Sequence, residues 1–140
     1  MSAPAVAVFA DGKKFAAAWK DKRTGEPNVF WAASTDASFS QDDLLNGEMK
    51  GEQNHPSIAM DSSGTIWAAW EDNRSGHQQI WARSSSTTDS ERPVSERSDG
   101  KASFPVVACN AGLIAVAYEA KKERKDAVVF RLLDGSQHGK

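Results

Sequence analysis

The sequence predicts an all-β fold made of three repeated units, and two observations support this fold class. The first is an internal repeat of about 50 residues that opens with a proline each time, at Pro4, Pro56 and Pro105. The second is that apolar runs of strand length are separated by turns rich in Gly, Asp and Asn, whereas no apolar stripe of helical period has comparable length. We therefore expect three consecutive sets of antiparallel strands.

The first unit, residues 4–55, has three predicted strands, named A, B and C in chain order. Strand A follows Pro4, a turn at Gly12 leads to strand B, and strand B ends at Trp19. A polar turn of the pattern D-x-R-x-G then leads to strand C, which contains Trp31. The residues of that pattern are Asp21, Arg23 and Gly25. We expect the Asp side chain to close an Asx turn and the Gly to take a left-handed conformation.

The second unit, residues 56–104, repeats this order closely. Its strand B ends at Trp70, and its strand C contains Trp81. The turn between these strands has the same pattern, with Asp72, Arg74 and Gly76. The third unit, residues 105–135, ends strand B at Tyr118 and replaces the turn by the charged segment KKERKD. The recurring aromatic residues are predicted to pack between units, in preference to forming a sugar platform.

Polar segments between the units are long enough for a fourth, exposed strand D. They read SFSQDDLLNGEMKGEQNH after the first strand C and SSTTDSERPVSERSDGKASF after the second. Four antiparallel strands that recur every 50 residues or so, with apolar side chains on both faces, predict the blade of a β-propeller. The whole chain, residues 1–140, is therefore predicted to be a single partial β-propeller domain with three blades.

The second unit, PSIAMDSSGTIWAAWEDNRSGHQQIWARSS, resembles the repeat of sialidase-like BNR/Asp-box β-propellers. That repeat reads as a proline, a strand, D-x-x-G, W-A-W-x-D-x-R-x-G, a second strand and then an Asp box. The resemblance extends over all three units. The Asp boxes are degenerate: Ser34 and Asp36 fit the pattern in STDASFS, but Ser38 stands where the pattern has Gly. The resemblance implies a β-propeller fold with relatives that are often secreted or periplasmic.

The resemblance also implies which catalytic residues a sialidase would need. Those enzymes use an arginine cluster for the substrate carboxylate, a tyrosine nucleophile paired with a glutamate, and an acid/base aspartate. Tyr118 is the only tyrosine of this chain, and it aligns with Trp19 and Trp70 at the end of strand B. We therefore predict an aromatic packing position there, no catalytic residues and, on balance, no enzyme.

The sequence predicts neither a metal nor a cofactor. His55, His77 and His138 are far apart, and none belongs to a two-histidine ligand spacing. Cys109 is the only cysteine, which excludes an intrachain disulfide and a thiolate cluster.

A net charge of -2 gives no basic surface for nucleic acid. No apolar run approaches the roughly 20 residues that span a bilayer, and no signal peptide is recognised, so we expect a soluble chain whose compartment is unknown.

The candidate ligand-binding residues lie at the end of the blades that carries the B–C turns and the connections between units. Repeated Arg and Asp side chains beside aromatic rings suit a sugar or a carboxylate ligand. The predicted set is Asp21, Arg23, Asp72, Arg74 and His77 from the turns, with His55 and Phe104 from the connections. The alternative is that these Asp and Arg residues brace their own hairpins.

Three blades do not close a ring, since propellers typically have about four to eight. The preferred interpretation is a homodimer in which two copies join head to tail into a six-bladed ring. The predicted function is a non-catalytic binding or scaffold module that assembles with itself and binds a glycan or a protein on the B–C face. Two alternatives stay open: a fragment or remnant of a sialidase-like glycoside hydrolase, and a truncated or redesigned half-propeller with no ligand.

Overall fold

The computed structural model describes residues 4–9, 11–34, 38–40, 42–86 and 90–134. Within these ranges the backbone forms eleven β-strands and one short 3-10 turn at Arg97–Asp99, and no α-helix. The strands make three antiparallel sheets, each from a consecutive part of the chain. The all-β prediction is thus confirmed. The Asp-box positions 35–37, the segment 87–89 and the tail from residue 135, with His138, lie outside the described residues.

Sheet 1 contains β1 (Ala5–Val8), β2 (Phe15–Asp21), β3 (Asn28–Ala33) and β4 (Asp43–Leu44), side by side in that order. Sheet 2 contains β5 (Gln53–Met60), β6 (Ile66–Asp72), β7 (Gln79–Ser84) and β8 (Arg92–Pro93) in the same arrangement. Sheet 3 contains β9 (Lys101–Asn110), β10 (Leu113–Lys122) and β11 (Lys125–Asp134). The predicted strands A, B and C are present in every unit, whereas strand D is only two residues long in sheets 1 and 2.

The turns follow from local chemistry. In the turn after β5 the carboxylate of Asp61 accepts hydrogen bonds from the backbone N–H groups of Ser63 (2.9 Å) and Thr65 (3.0 Å). Gly64 in the same turn has a φ of 85°, a conformation that residues with a Cβ rarely adopt. An Asx turn combined with a left-handed glycine reverses the chain in few residues. Short reversals of this kind keep consecutive strands adjacent in each sheet.

Each sheet has a forward face, toward the unit that follows it in the chain, and a rear face, toward the unit that precedes it. The forward face of sheet 1 packs on the rear face of sheet 2, and we call this contact junction 1. Its buried residues are Ala7, Ala16, Ala18, Val29, Leu45, Ile58, Ile66, Ala68 and Trp70. The forward face of sheet 2 packs on the rear face of sheet 3, and we call this contact junction 2. Its buried residues are Trp67, Ala69, Ile80, Ala82, Val94, Ala102, Val107, Ile114, Val116, Tyr118 and Ala120.

Two faces have no sheet against them among the described residues. The forward face of sheet 3 exposes apolar side chains in rows that match those of the buried forward faces. These exposed residues are Val106, Leu113, Val128, Phe130 and Leu132. The rear face of sheet 1 exposes Val6, Val8 and Phe15. The stack of three sheets therefore ends in an apolar surface on both sides.

The first strands of units two and three begin before their prolines. We expected His55 and Phe104 in the connections between units, but this was wrong, because they lie inside β5 and β9. Both residues have positive φ, 48° and 53°, and the strand pairing shifts register beside each of them. Pro56 and Pro105 follow directly and have no N–H to donate to a ladder. A β-bulge at each site accommodates the proline within the strand.

Ile80 and Val128 form a matched pair for testing which faces are buried. Ile80 lies opposite Glu71 and Val128 opposite Glu119, so both occupy the same place on a forward face. Ile80 is 0% exposed and Val128 is 76% exposed. We expect Ile80→Ala to lower the free energy of unfolding by about 2–5 kcal/mol, because it leaves a cavity. Val128→Ala should change it by less than about 0.5 kcal/mol.

The measurement is urea unfolding of both variants at sub-micromolar protein concentration. Equal losses in the two variants would contradict the assignment of the buried face.

Candidate functional site

The turn of unit two forms a closed ionic network around Arg74. Its backbone N–H donates to the Asp72 carboxylate at 2.9 Å, and its guanidinium donates to both oxygens of Asp72 and to Glu91. The guanidinium also lies 4.0 Å from the centre of the Trp81 ring. Burial alone lowers the pKa of Arg74, but the hydrogen bonds to Asp72 and Glu91 outweigh it and raise the pKa above its ordinary value. Asp72 and Arg74 are thus each occupied by internal partners.

The turn of unit one repeats this arrangement nearer to solvent. The backbone N–H of Arg23 donates to Asp21 at 2.8 Å, and its guanidinium pairs with Asp21 and Asp42. The Arg23 guanidinium lies 4.6 Å from the centre of the Phe30 ring. The hydrogen bonds from Arg23 hold the pKa of the Asp21 carboxyl below its usual value. The two predicted Asp and Arg pairs are not brought together; each closes on its own hairpin, which favours the bracing interpretation.

His55 and Phe104 are brought together at junction 2. Their ring centres are 4.9 Å apart with an edge-to-face orientation, although 49 positions separate them in the chain. The buried carboxylate of Glu71 joins them: its Oε2 accepts the backbone N–H of Phe104 at 2.8 Å and lies 2.8 Å from Nδ1 of His55. The contact with His55 is close enough for an ion pair but lacks hydrogen-bond geometry. Glu71 was not among the predicted site residues.

His77 also contacts the next unit. Its Nε2 lies 2.9 Å from the carbonyl oxygen of Gly100, which precedes β9. Of the seven predicted ligand-binding residues, three are therefore engaged at junction 2, namely His55, His77 and Phe104. The other four are engaged in the two turns. At the B–C end of the sheets, all seven predicted ligand-binding residues therefore already have contacts within the chain.

The predicted packing aromatics fall into two groups. Trp70 and Tyr118 are buried at junctions 1 and 2, and Trp31 and Trp81 pack against the core of junction 1. Trp19, by contrast, is only half-buried and lies on the open rear face of sheet 1. The positive φ of Gly25 and Gly76 fits their predicted turn role.

Tyr118 belongs to a polar cluster that the sequence did not reveal. Its hydroxyl donates to Oδ2 of Asp99 at 2.6 Å, and Arg131 donates to both oxygens of the same carboxylate. Burial and the neighbouring Asp99 charge raise the pKa of Tyr118. Burial also raises the pKa of Asp99, but hydrogen bonds from Tyr118 and from the backbone N–H of Glu96, together with Arg131, lower it below its ordinary value. A tyrosine buried in this way is a packing residue, because its oxygen does not face open solvent.

A groove of about 440 Å³ lies at the open forward face of sheet 3, at the end nearest the turn between β10 and β11. It is lined by Lys101, Ser103, Phe104, Glu119, Lys121, Asp126, Ala127 and Val128. The ring of Phe104 thus contacts His55 and also lines this groove. None of these residues except Phe104 was predicted as a site residue.

In the described part of the chain, no group of three or more His, Cys, Asp or Glu side chains is arranged to hold a metal ion. The same residues contain no helix with the length and apolar character required to cross a membrane.

No protein-family model and no curated protein matches this chain. Fifteen chains of solved structures match it. One of them is the crystal structure of "a putative glycosidase" from Bacteroides thetaiotaomicron VPI-5482, with a TM-score of 0.48 and 13% sequence identity. The match covers 96% of this chain and 50% of that protein, so this chain spans half the length of the structure that it matches.

Arg74 and Arg23 give a matched test of the bracing role. The Arg74 side chain is 7% exposed and that of Arg23 is 48% exposed. We expect Arg74→Ala to lower the free energy of unfolding by about 3 kcal/mol, since it leaves the buried Asp72 carboxylate without its cation. Arg23→Ala should have a much smaller effect, because water replaces its exposed pairs. Thermal and urea unfolding measure both values. An Arg74→Ala variant with the same free energy of unfolding as wild type would argue against the bracing role.

The Asp99 cluster predicts a dependence of stability on pH. We expect Asp99→Asn to reduce the free energy of unfolding by about 1–3 kcal/mol at pH 7, because it removes hydrogen bonds to a charged acceptor. The pKa of Asp99 is lowered by folding, so its contribution is present above the unfolded value of about 4 and is lost as the pH falls through the folded value. The difference between wild type and variant should therefore shrink toward pH 3.

Urea unfolding at pH 7 and pH 3 provides the comparison, with Asp43→Asn on exposed β4 as the control. A difference that stays constant between the two pH values would rule out the charged role of Asp99.

Proposed function

We propose that this chain is a non-catalytic β-propeller scaffold module whose three sheets are blades, and that two copies close into a six-bladed ring. One observation carries the proposal: the two open faces of the stack have the same layout as the two sides of its internal junctions. The rear face of sheet 1 and the forward face of sheet 3 are thus complementary in the way that junctions 1 and 2 already are.

Equivalent positions make this complementarity concrete. Val6, Ile58 and Val107 occupy the same place on the three rear faces. Ile58 and Val107 are buried in the junctions, whereas Val6 is 64% exposed. On the forward faces Val29 and Ile80 are fully buried, and their counterpart Val128 is exposed. Covering side chains of this size stabilises a contact by about 1.5–3 kcal/mol each, so both faces favour a partner sheet.

The proposed blades comprise residues 4–55, 56–104 and 105–135. A head-to-tail contact between identical units either closes or continues into a filament, and two three-bladed arcs supply six blades, which lies within the size range of propellers. The Asx turns at Asp21, Asp61 and Asp72 support placing the chain with the sialidase-like BNR/Asp-box repeats, because these residues are the aspartates of the D-x-x-G and D-x-R-x-G turns.

Ligand binding on the B–C face is a separate part of the proposal and has less support. In a single copy Phe104 is 55% exposed and His55 is half-buried beside it, which gives an aromatic surface that suits a glycan or a protein. Phe104 also lines the groove of sheet 3, so a ligand there would compete with the second copy of the ring. The two arginines predicted to bind a ligand are, however, held by internal carboxylates. A glycan array probed with the intact chain tests this part of the proposal. If no glycan were bound, ligand binding would be refuted for glycans and the proposed function would be assembly alone.

The alternative of a sialidase-like hydrolase remnant is disfavoured by Tyr118. The nucleophile of such an enzyme has to reach the anomeric carbon of a bound sugar. Tyr118 is instead buried in junction 2, where its hydroxyl donates to Asp99. No described residue supplies a second tyrosine, since the sequence has one.

The assembly is tested by the mass of the intact chain at micromolar concentration, measured by light scattering after size exclusion. We expect the mass of two chains. Val6→Asp and Val128→Asp should each give monomers, because an Asp carboxylate would be buried without a partner at both contacts of the ring. Met49→Asp replaces an exposed residue outside both open faces and should leave the mass unchanged.

A mixture of Val6→Asp and Val128→Asp should recover part of the dimer, because one of its two contacts then contains only unmodified faces. If Val6→Asp alone remained dimeric, the contact would join two copies of sheet 3 instead. A monomeric wild-type chain would refute the proposed ring.

A further inference from the structure

We propose that the outer edge of β11 binds an extended strand of a partner protein, in which an apolar residue is followed by a serine. The bound strand takes the place that β4 has in sheet 1 and β8 has in sheet 2. The site is separate from the ring of two copies and does not depend on it, because the ring uses the faces of the sheets and this site uses an edge.

Sheet 1 shows how a short fourth strand is held. Leu45 directly follows β4, and its N–H donates to the carbonyl of Val29 at 2.8 Å. Oδ1 of Asn46, the next residue, accepts the N–H of Val29 at 2.9 Å. The side chain of Leu45 is fully buried in the core of junction 1. One apolar and one polar residue thus pair both backbone groups of Val29 and contribute to the junction.

Sheet 2 repeats this arrangement with different side chains. Val94 directly follows β8, and its N–H donates to the carbonyl of Ile80 at 2.7 Å. The hydroxyl oxygen of Ser95 accepts the N–H of Ile80 at 2.8 Å. Val94 is buried in the core of junction 2. Two different sequences, Leu-Asn and Val-Ser, therefore share the pattern of an apolar residue followed by a small hydrogen-bond acceptor.

Sheet 3 has the same backbone position without such a strand. Val128 takes the place there that Val29 and Ile80 have in the other sheets. The hairpin from β10 to β11 closes at the pair of Lys122 and Lys125, and hydrogen-bonded pairs alternate with non-hydrogen-bonded pairs from that point. Val128 lies three pairs further on, in a non-hydrogen-bonded pair, so its N–H and C=O point to the outer edge. No described strand lies on that side of β11.

The space beside Val128 is also open. Its side chain is exposed, whereas those of Val29 and Ile80 are fully buried. The groove of sheet 3 includes Ala127 and Val128 in its lining, so it borders the edge strand. The edge therefore offers backbone groups for pairing and an apolar surface for a side chain, which are the two requirements of strand addition.

The neighbouring position favours serine over asparagine in the bound strand. In sheet 1 the side-chain amide of Asn46 donates to Oδ1 of Asn28 at 2.8 Å. Ala127 takes the place of Asn28 in sheet 3 and has no side-chain acceptor. A serine hydroxyl accepts the N–H of Val128 without needing that second partner. The Val-Ser segment of unit two is therefore the appropriate probe.

The experiment titrates the intact chain against a fluorescent peptide SERPVSER, which has the sequence of residues 90–97, and measures anisotropy. We expect saturable binding. A peptide with Val94→Asp should bind at least about tenfold more weakly, because burial of the apolar side chain is lost. A peptide with Ser95→Ala should bind about tenfold more weakly, because the N–H of Val128 loses its acceptor. A scrambled peptide is the control, and all changes are in the peptide, so the fold of the chain is unaltered.

Amide hydrogen exchange locates the bound peptide. Exchange of the Val128 N–H should slow on binding, whereas that of Val129, which is in a hydrogen-bonded pair with Tyr118, should stay as it is. Both measurements are repeated in Val6→Asp, which changes the rear face of sheet 1 and leaves sheet 3 unmodified. Equal binding by the two chains is expected, because the edge does not require the ring.

The outcomes separate this site from the ring. No saturable binding up to about 1 mM peptide, or equal binding of the Val94→Asp peptide, would overturn the edge site and leave the ring unaffected. Slow exchange at Val128 in Val6→Asp before any peptide is added would show that the edge is already paired. Slow exchange that is lost on dilution would then assign the edge to a second copy, and slow exchange at every concentration would assign it to the same chain; either result would overturn the partner strand.

Discussion

The constraint on which this structure depends is that each sheet is apolar on both faces. Successive side chains of a β-strand point to opposite sides, so a run such as IWAAW in β6 places apolar side chains on both faces of the sheet. One neighbouring sheet covers only one of them. Sheet 2, between two others, is the part of the chain in which this requirement is met on both sides, and all seven residues of β6 are buried.

In junction 1, one sheet contributes small side chains to the contact and the other contributes large ones. The forward face of sheet 1 presents Ala7, Ala16 and Ala18, and the rear face of sheet 2 places Ile58 and Trp70 against them. Small residues opposite large ones let two sheets approach closely without voids. Polar links then fix the alignment at one end, where Glu71 and Gln78 bind the entry of β9. Burial of apolar area thus stabilises the packing of two sheets, and hydrogen bonds between them fix how they are aligned.

The sequence was sufficient to predict an all-β chain with three consecutive antiparallel sheets and their long strands, because alternation, glycine and Asx turns are local properties. The fourth strands were harder: β4 and β8 are two residues long and exist through pairing with β3 and β7, which a local pattern does not encode. His55 and Phe104 were misplaced because an X-Pro step resembles a strand boundary, whereas a bulge carries the strand through it. Glu91 was missed as a partner of Arg74 because it lies 17 positions away and only the folded hairpin joins the two residues. Glu71 was overlooked because a charge next to a turn usually lies in solvent.

The last strand of sheet 3 has a consequence for handling the protein in solution. β11 lies at the edge of its sheet and, among the described residues, has no short fourth strand beside it of the kind that borders β3 and β7. Its centre, AVVFRLL, is rich in residues that favour extended chains, and no further strand among the described residues pairs with the backbone N–H and C=O groups of its outer side. Such an edge is a template for uncontrolled strand addition and fibril formation. Arg131 is the charge that interrupts the run, so any change that neutralises it would expose the chain to aggregation whenever its apolar face is left uncovered.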